Sequence, residues 1–360
     1  MQKTIGILAV LLVAQVGLTI GMSFTEPDLT AVRPDTLLLE FGERTVDRLT
    51  IEGSDNQKLT LARQGEDWVL VEKGRFPADQ TKVDRLLNQL RGLQRGLAVA
   101  TTDGAKRRFS VSDEAFERRI TLAQGDETLA TLYLGTSPGM RRVHARTGDD
   151  DAVYTVKFGV HDTPVKPGDW EDKTVLQIPR EEIETISLAD LTLSRIPDKG
   201  SPVTPGEGDK QTPDQTSWSS DVLAEGESIN QSNADALAEK LARLIIGTVI
   251  DPEADLDNGP EDPDLVIDLQ RKDKQVIEYR LSKRDTENDY VLKSSSRPEY
   301  FRLPVYTGDA LIKAASRQQL IIAATDAADE GEAQAVTFES LPADSSDKSA
   351  LGIAIEEGEP

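Results

Sequence analysis

The sequence predicts an α+β fold of two tandem repeats, each a mostly antiparallel sheet with one covering amphipathic helix, after an N-terminal transmembrane helix. Two observations lead to this prediction. A stretch near the N-terminus carries no charge, and a series of strand patterns around one helix pattern occurs twice along the rest of the chain. The 360 residues allow two or three domains of ordinary size, or one repeated unit.

The N-terminal stretch, residues 4–22, is long enough to cross a membrane. Its nineteen residues would span about 28 Å as a helix, close to the ~30 Å thickness of the hydrocarbon layer. Lys3 precedes the stretch and acidic residues dominate after it, and positive charge tends to stay on the cytoplasmic side. We therefore expect residues 1–23 to be an uncleaved signal-anchor of the inner (cytoplasmic) membrane, with the bulk of the chain in the periplasm. A cleaved signal peptide is the alternative.

The first repeat covers residues 36–160 and opens with two strand patterns, at 45–53 and 59–68. A helix pattern follows. Asp79 can cap this helix because its carboxylate can accept a hydrogen bond from an unpaired N–H of the first turn. The apolar residues recur with the spacing of one helix face, at Val83, Leu86, Leu90 and Leu93.

A short strand pattern and two hairpin patterns complete the first repeat. The short strand is expected at residues 97–100. The first hairpin covers residues 119–135 and turns at Gly125 and Asp126, and the second covers residues 141–156.

The second repeat covers residues 179–320 and follows a connector at 161–178. Its cap is Asn230, 151 positions after Asp79, and its apolar stripe has the same offset, at Ala234, Leu237, Leu241 and Leu244. A short strand pattern at 248–250 and hairpin patterns at 265–282 and 289–304 complete it, and the first hairpin turns at Lys272 and Asp273. The three tryptophans occur at comparable steps of the pattern and are expected in the core: Trp68, Trp170 and Trp218.

Three segments break the repeat pattern. Residues 196–217 are rich in proline, glycine and polar side chains and predict a loop insertion within the second repeat. Residues 251–264 contain seven acids and three prolines, which favours a solvated loop, and the spacing of the acids does not match a calcium-binding EF-hand loop. The tail, residues 325–360, has ten acids and one lysine and is predicted to be disordered.

Composition excludes several classes of function. The formal net charge of −23 disfavours binding to nucleic acid, whose phosphates would be repelled. The absence of cysteine excludes disulfides, thiolate metal sites and a cysteine nucleophile. With only two histidines, His144 and His161, a centre built from several histidines is excluded as well.

No motif of catalysis occurs in the sequence. His161 and Asp162 are adjacent, but no Gly-x-Ser-x-Gly nucleophile motif accompanies them. No phosphate-binding Gly-x-x-x-x-Gly-Lys-Ser/Thr loop and no Gly-x-Gly-x-x-Gly motif is present. We therefore predict a protein that is not an enzyme, with no catalytic, cofactor-binding or metal-binding residues. His144 is expected to be exposed on a strand beside two arginines.

A basic region stands out in this acidic chain. Residues 91–146 contain ten lysines and arginines against six acids. Arginine suits carboxylate or phosphate partners, including lipid headgroups. The region therefore predicts a docking patch, with a solvated surface neutralised by the protein's own acids as the alternative. Its candidate residues are Arg107, Arg108, Arg118, Arg119, Arg141 and Arg142.

Two segments of the chain resemble a known bacterial family. Residues 68–93 run from a Trp through a short β segment and Pro-x-Asp to a Val-x-x-Leu-Leu-x-x-Leu helix. Residues 168–188 place an Asp-Trp-x-Asp-Lys step before an Ile-x-x-Ile-x-Leu strand. These motifs resemble domain-of-unknown-function family 4340, over roughly residues 40–315. The resemblance implies a membrane-anchored extracytoplasmic protein associated with ABC-type transport systems like those linked to gliding motility, and it brings no catalytic residues.

These observations lead to one expected function and one alternative. We expect an accessory or binding subunit of a membrane assembly, anchored by its N-terminal helix, with subunits of a transport complex as partners. The alternative is an extracytoplasmic module that binds a small molecule, a polysaccharide or a lipid in a groove between the two repeats.

Overall fold

The structure is a computed structural model that describes residues 36–139, 141–197, 216–250, 262–284 and 289–323. The predicted anchor at 1–23 and the predicted tail at 325–360 lie outside the described residues, as do most of the 196–217 insertion and of the 251–264 acidic loop. Within the described ranges, no helix combines the length and the apolar character that crossing a membrane requires.

The first half of the chain forms one nine-stranded sheet. All its strand pairs are antiparallel, in the order β4-β3-β2-β1-β6-β7-β8-β9-β5. The strands are β1 (Arg48–Gly53), β2 (Lys58–Gln64), β3 (Asp67–Leu70), β4 (Phe76–Pro77), β5 (Ala98–Ala100), β6 (Arg118–Gln124), β7 (Glu127–Leu134), β8 (Val143–Thr147) and β9 (Val153–Val156). Two helices accompany them, α1 (Gln80–Arg91) and α2 (Asp103–Arg108).

The second half forms an eight-stranded antiparallel sheet with the same connectivity, in the order β12-β11-β10-β15-β16-β17-β18-β14. Its strands are β10 (Ile183–Ser187), β11 (Thr192–Pro197), β12 (Thr216–Ser219), β14 (Thr248–Ile250), β15 (Leu265–Arg271), β16 (Val276–Arg284), β17 (Asp289–Ser294) and β18 (Tyr300–Pro304). A separate pair joins β13 (Ser228–Ile229) to β19 (Ile321–Ile322). The helices are α3 (Gln231–Ala242), α4 (Val305–Ala314) and α5 (Arg317–Leu320). The prediction of helices combined with mostly antiparallel sheets is confirmed.

The two helices that the sequence predicts begin at the predicted caps. The Asp79 carboxylate accepts a hydrogen bond from the Lys82 N–H at 2.9 Å, and the Asn230 side chain accepts one from the Asn233 N–H at 3.1 Å. Each cap satisfies a backbone donor that has no partner inside its helix. The eight residues of the two predicted apolar stripes are all buried, because each stripe faces the core.

Three helices and one loop boundary differ from the prediction of one helix per repeat. Helix α2 buries no residue, so its sequence has no apolar stripe to reveal it. Helices α4 and α5 begin without a side-chain cap hydrogen bond. The predicted 196–217 insertion is also too wide, since its first two residues belong to β11 and its last two to β12.

The two halves meet at the connector, where large side chains fill the space. Trp170 is fully buried, and its indole N–H donates to the carbonyl of Pro164 at 2.8 Å. The rings of Phe76 and Phe301, one from each half, lie 6.3 Å apart. Trp68 and Trp218 are buried too, as predicted. One continuous hydrophobic core therefore includes residues of both halves and of the connector.

Candidate functional site

Two surface clefts lie at comparable places in the two halves. The first is lined by residues that follow α1, together with residues in and after β9. The second is lined by residues that follow α3, together with residues after β18. Residues 92–96 and 243–247, which are offset by 151 positions, line the first and the second cleft respectively. The clefts differ in the side chains that line them.

The first cleft, which we call the basic cleft, collects cationic side chains. Its two adjoining lobes have volumes of about 420 and 730 Å³ and share Arg142, Lys157 and Asp162. Arg95 lines one lobe and Arg141 the other. The cleft therefore has four cationic residues and one acid along its walls, and the side chains of Arg141, Arg142 and Lys157 are exposed.

Most of this positive charge has no salt-bridge partner among the described residues. Arg95 lies 3.9 Å from the Asp150 carboxylate and over the ring of Tyr154. Across the described residues, no salt bridge involves Arg141, Arg142 or Lys157. The cleft can therefore hold an anion by charge and by the hydrogen bonds that guanidinium and ammonium groups donate.

The predicted docking patch divides into two groups. Arg107, Arg108, Arg141 and Arg142 are exposed. Arg118 and Arg119 are half-buried and bonded within the protein: Arg118 donates to the carbonyl of Thr163 at 2.9 Å, and Arg119 pairs with Glu52. Of the six residues, only the pair 141 and 142 lines the basic cleft.

The expectation that His144 is exposed is wrong. His144 is only 9% exposed, and its ring stacks at 4.2 Å on the ring of Phe109. The side chain points inward from β8 because Phe109, at the end of α2, covers that strand. His161 is exposed and lines the larger lobe of the basic cleft beside Asp162.

Arg146 belongs to the basic region of the sequence but is buried. Its Nε donates to the carbonyl of Val111 at 2.7 Å, and its Nη2 lies 2.8 Å from the Asp113 carboxylate. A hydrogen bond from the Tyr133 hydroxyl, followed by the one from Arg146, lowers the pKa of Asp113. The charge of Arg146 is therefore neutralised inside the protein and does not contribute to a surface patch.

The second cleft, which we call the apolar cleft, has a volume of about 570 Å³. Ile245 and Tyr306 lie on its walls and are 52% and 73% exposed, so two large side chains with apolar surface share one concave site. The charged residues that line it form a cationic edge of Lys173, Lys240 and Arg243 with one acid, Glu239, whose carboxylate pairs with Arg243 at 2.6 Å. An apolar groove with a cationic edge suits a peptide segment that has apolar and acidic side chains.

Helix α4 forms one wall of the apolar cleft. It packs closely on the sheet at Gly308, where a Cβ atom would lie 2.2 Å from the ring of Tyr290. The Tyr290 hydroxyl donates to Asp309 at 2.6 Å, and burial together with this bond raises the pKa of Tyr290 to about 12. In the sequence, Ile245 and Ile246 stand 151 positions after the polar pair Gln94 and Arg95, and this difference is a signal that could have revealed the cleft.

The first described residues of the chain lie beside the basic cleft. Thr36 is the first described residue, and its carbonyl accepts a hydrogen bond from the Arg95 N–H at 2.9 Å. Leu37 forms a β-bridge with Gln94, and the Leu38 N–H donates to the carbonyl of Leu93 at 2.7 Å. The segment that leads back to residues 1–35 therefore begins beside the basic cleft.

The described part of the chain contains no group of three or more metal-ligating side chains. A family model, described as domain of unknown function (DUF4340), matches residues 68–264, more than half of the chain. The chain belongs to this family. The DUF4340 match begins at Trp68 in β3 and ends just before β15, so it includes both predicted helices and the connector. Comparisons with curated proteins and with solved structures give no match.

Proposed function

We propose that this DUF4340 protein is a non-enzymatic accessory subunit of a membrane assembly. In this proposal, residues 1–23 anchor it in the inner membrane and its two tandem repeats lie in the periplasm. An ABC-type transport system is the assembly that the family resemblance implies. The apolar cleft is the docking site for a partner subunit, and its exposed Ile245 and Tyr306 are the observation that carries the proposal.

Matching details in the two halves support the tandem repeat. Gln80 and Gln231, the first residues of α1 and α3, hold the backbone of the Trp in the preceding strand. The Gln80 side chain accepts from the Trp68 N–H at 2.7 Å and donates to its carbonyl at 3.0 Å. Gln231 makes the same two bonds to Trp218, at 2.7 and 2.9 Å.

The chemistry of the apolar cleft indicates the kind of partner. Its walls bury apolar side chains of a ligand, and each well-covered side chain contributes about 1.5–3 kcal/mol. Its cationic edge favours carboxylates near those side chains, a contribution that weakens as salt rises. We therefore propose an extracytoplasmic segment of a partner subunit in which apolar residues are flanked by acids.

Site-specific photocrosslinking in native membranes tests this proposal. A photoreactive amino acid replaces Ile245 or Tyr306 in the full chain, and Val276 is the matched control because it is also apolar and 52% exposed. We expect both cleft positions, but not position 276, to crosslink to a second membrane polypeptide, which mass spectrometry identifies. Crosslinks only to this chain, its own 325–360 tail included, would overturn the proposal.

The alternative function, a ligand-binding module, has one observation in its favour. The basic cleft is concave and carries cations, three of which form no salt bridge with any described residue, whereas Trp170, Phe76 and Phe301 fill the junction between the halves. A ligand site is therefore better supported in the basic cleft than in a groove between the repeats.

A further inference from the structure

We propose that the basic cleft binds the phosphate headgroup of an anionic phospholipid. The proposal rests on the anchoring of residues 1–23 in the membrane, which is part of the proposed function. Its groups are the guanidinium groups of Arg95, Arg141 and Arg142 and the ammonium group of Lys157, which line adjoining lobes of one concave site.

These cations are distinguished by lying together on one concave site. The chain has a formal net charge of −23. Some of its cations pair with its own acids, as Arg44 does with Glu127 and Lys106 with Asp151. Arg141, Arg142 and Lys157 have no such partner in the described ranges. A site that keeps several like charges together gains stability when an anion enters it.

The side chains that line the cleft suit a phosphate group. Guanidinium groups bind phosphate through two parallel hydrogen bonds, and an ammonium group adds a further donor. The Gln89 side chain, at the end of α1, lines both lobes and offers an amide. The single carboxylate, Asp162, leaves the balance of charge along the walls positive.

The position of the cleft in the chain favours a lipid as the source of the phosphate. The cleft adjoins residues 36–38, which pair with residues 93–95. Thirteen residues separate residue 36 from the end of the charge-free 4–22 stretch. A fully extended link of that length reaches only about 45–50 Å, comparable with the diameter of a domain pair of this size. The anchor therefore keeps the basic cleft within reach of the membrane surface.

Hydrogen exchange in nanodiscs tests the proposal with the full chain. Discs of phosphatidylcholine are compared with discs in which about one third of the lipid is phosphatidylglycerol. We expect the anionic discs to slow amide exchange at residues 93–96, 141–143 and 155–158. The variant R142S/K157S should lose this slowing, because each cation near an anionic surface contributes about fivefold in affinity, the equivalent of ~1 kcal/mol.

Three comparisons make the result decisive. The matched control R107S/R108S removes two exposed arginines outside the cleft and should keep the slowing; loss of the effect in this variant would assign it to general surface charge and overturn the proposal. Equal slowing by inorganic phosphate in neutral discs would assign the site to free phosphate and overturn it too. No slowing in anionic discs would also overturn it.

Membrane anchoring by residues 1–23 is tested separately, by measuring whether the chain co-elutes with neutral discs. If the chain does not co-elute, the anchor fails, and the cleft is then tested by the same exchange measurement with added phosphatidylglycerol vesicles. Slowing at the cleft residues under those conditions would support headgroup binding, and its absence would overturn it.

Discussion

At the scale of single residues, Glu171 joins the connector to the second sheet. Its side chain is 2% exposed, and its two carboxylate oxygens accept hydrogen bonds from the Val249 N–H and the Thr248 hydroxyl, each at 3.0 Å. Among the described strands, β14 is the last of its sheet, so its outer edge pairs with no other described strand. The carboxylate occupies that edge and satisfies a backbone donor that would otherwise be buried without an acceptor.

Removal of this carboxylate should therefore destabilise the protein. We expect Glu171→Ala to lower the free energy of unfolding by about 1–3 kcal/mol, because the buried Val249 N–H loses its acceptor. Urea unfolding followed by tryptophan fluorescence measures the change. The control Glu181→Ala removes an exposed carboxylate that lies just after the connector, and its stability should stay within about 0.5 kcal/mol of the unchanged protein. Equal stability of the two variants would contradict this role of Glu171.

Asp113 gives a prediction about pH. Its pKa is lowered by the hydrogen bond from Tyr133 and by the contact with buried Arg146. A carboxylate with a lowered pKa in the folded state stabilises the protein above its unfolded pKa of about 4, and this contribution disappears as the pH falls through the folded pKa. Asp113→Asn should therefore reduce the Tm at pH 7 and have a smaller effect at pH 3.

Thermal unfolding at a series of pH values from 7 to 3 measures this difference. The exposed neighbour Glu114 provides the control, since Glu114→Gln removes a carboxylate next to the site without removing the contact to Arg146. A difference in Tm between Asp113→Asn and the unchanged protein that stays constant with pH would contradict the linkage.

At the scale of elements, the first residue of α1 and of α3 fixes each helix to its sheet. Gln80 and Gln231 each bond to the backbone N–H and carbonyl of a buried Trp, as a neighbouring strand would. We expect Gln80→Ala and Gln231→Ala each to lower the free energy of unfolding by about 1–3 kcal/mol. The two decreases should be similar, because each change leaves the N–H and the carbonyl of a buried Trp without these bonds.

The control for this pair is Gln89→Ala, the same change at an exposed position of α1. It should alter the free energy of unfolding by less than about 0.5 kcal/mol. Urea unfolding of the three variants makes the comparison. If Gln80→Ala lowers the free energy of unfolding no more than Gln89→Ala does, the side-chain bonds do not hold the helix.

The elements also show what a sequence can reveal. Helices α1 and α3 were predictable because a cap and an apolar stripe mark them locally, and the two turns at 125–126 and 272–273 were predictable from their residues. The Gln–Trp bonds and the position of Glu171 depend on contacts between residues 12 to 78 positions apart, which leave no local pattern. The charge pattern of the sequence correctly indicated four exposed arginines of the predicted docking patch. It did not reveal that Arg95 and Lys157 contribute to a cleft.

At the scale of the whole molecule, the two clefts have different linings: cationic side chains line one, and exposed apolar side chains line the other. The first half carries the basic cleft and the second the apolar cleft, although the same connectivity underlies both. The two halves differ in the residues that follow α1 and α3, and in helix α4, which lies in the second half. Our proposals assign the first cleft to the membrane surface and the second to a protein partner, so two sheets of the same connectivity would hold a partner at a defined orientation to the bilayer.

Such an orientation requires the two halves to behave as one body, and the connector makes a specific prediction about this. Trp170 is fully buried in the core shared by both halves, its carbonyl accepts a hydrogen bond from the Asp79 N–H at 2.8 Å, and Lys82 lies over its ring. Because the halves share this core, we expect the full chain to unfold in a single calorimetric transition, with equal calorimetric and van't Hoff enthalpies.

Trp170→Ala should break this coupling. The change removes a large side chain from the junction and should lower the free energy of unfolding by about 3–5 kcal/mol. Since each half retains its own sheet, unfolding should then occur in two transitions. Differential scanning calorimetry distinguishes the outcomes, with Val276→Ala as an exposed control that should keep one transition. Two transitions already present in the unchanged protein would mean that the halves fold independently and that the junction does not fix the clefts relative to each other.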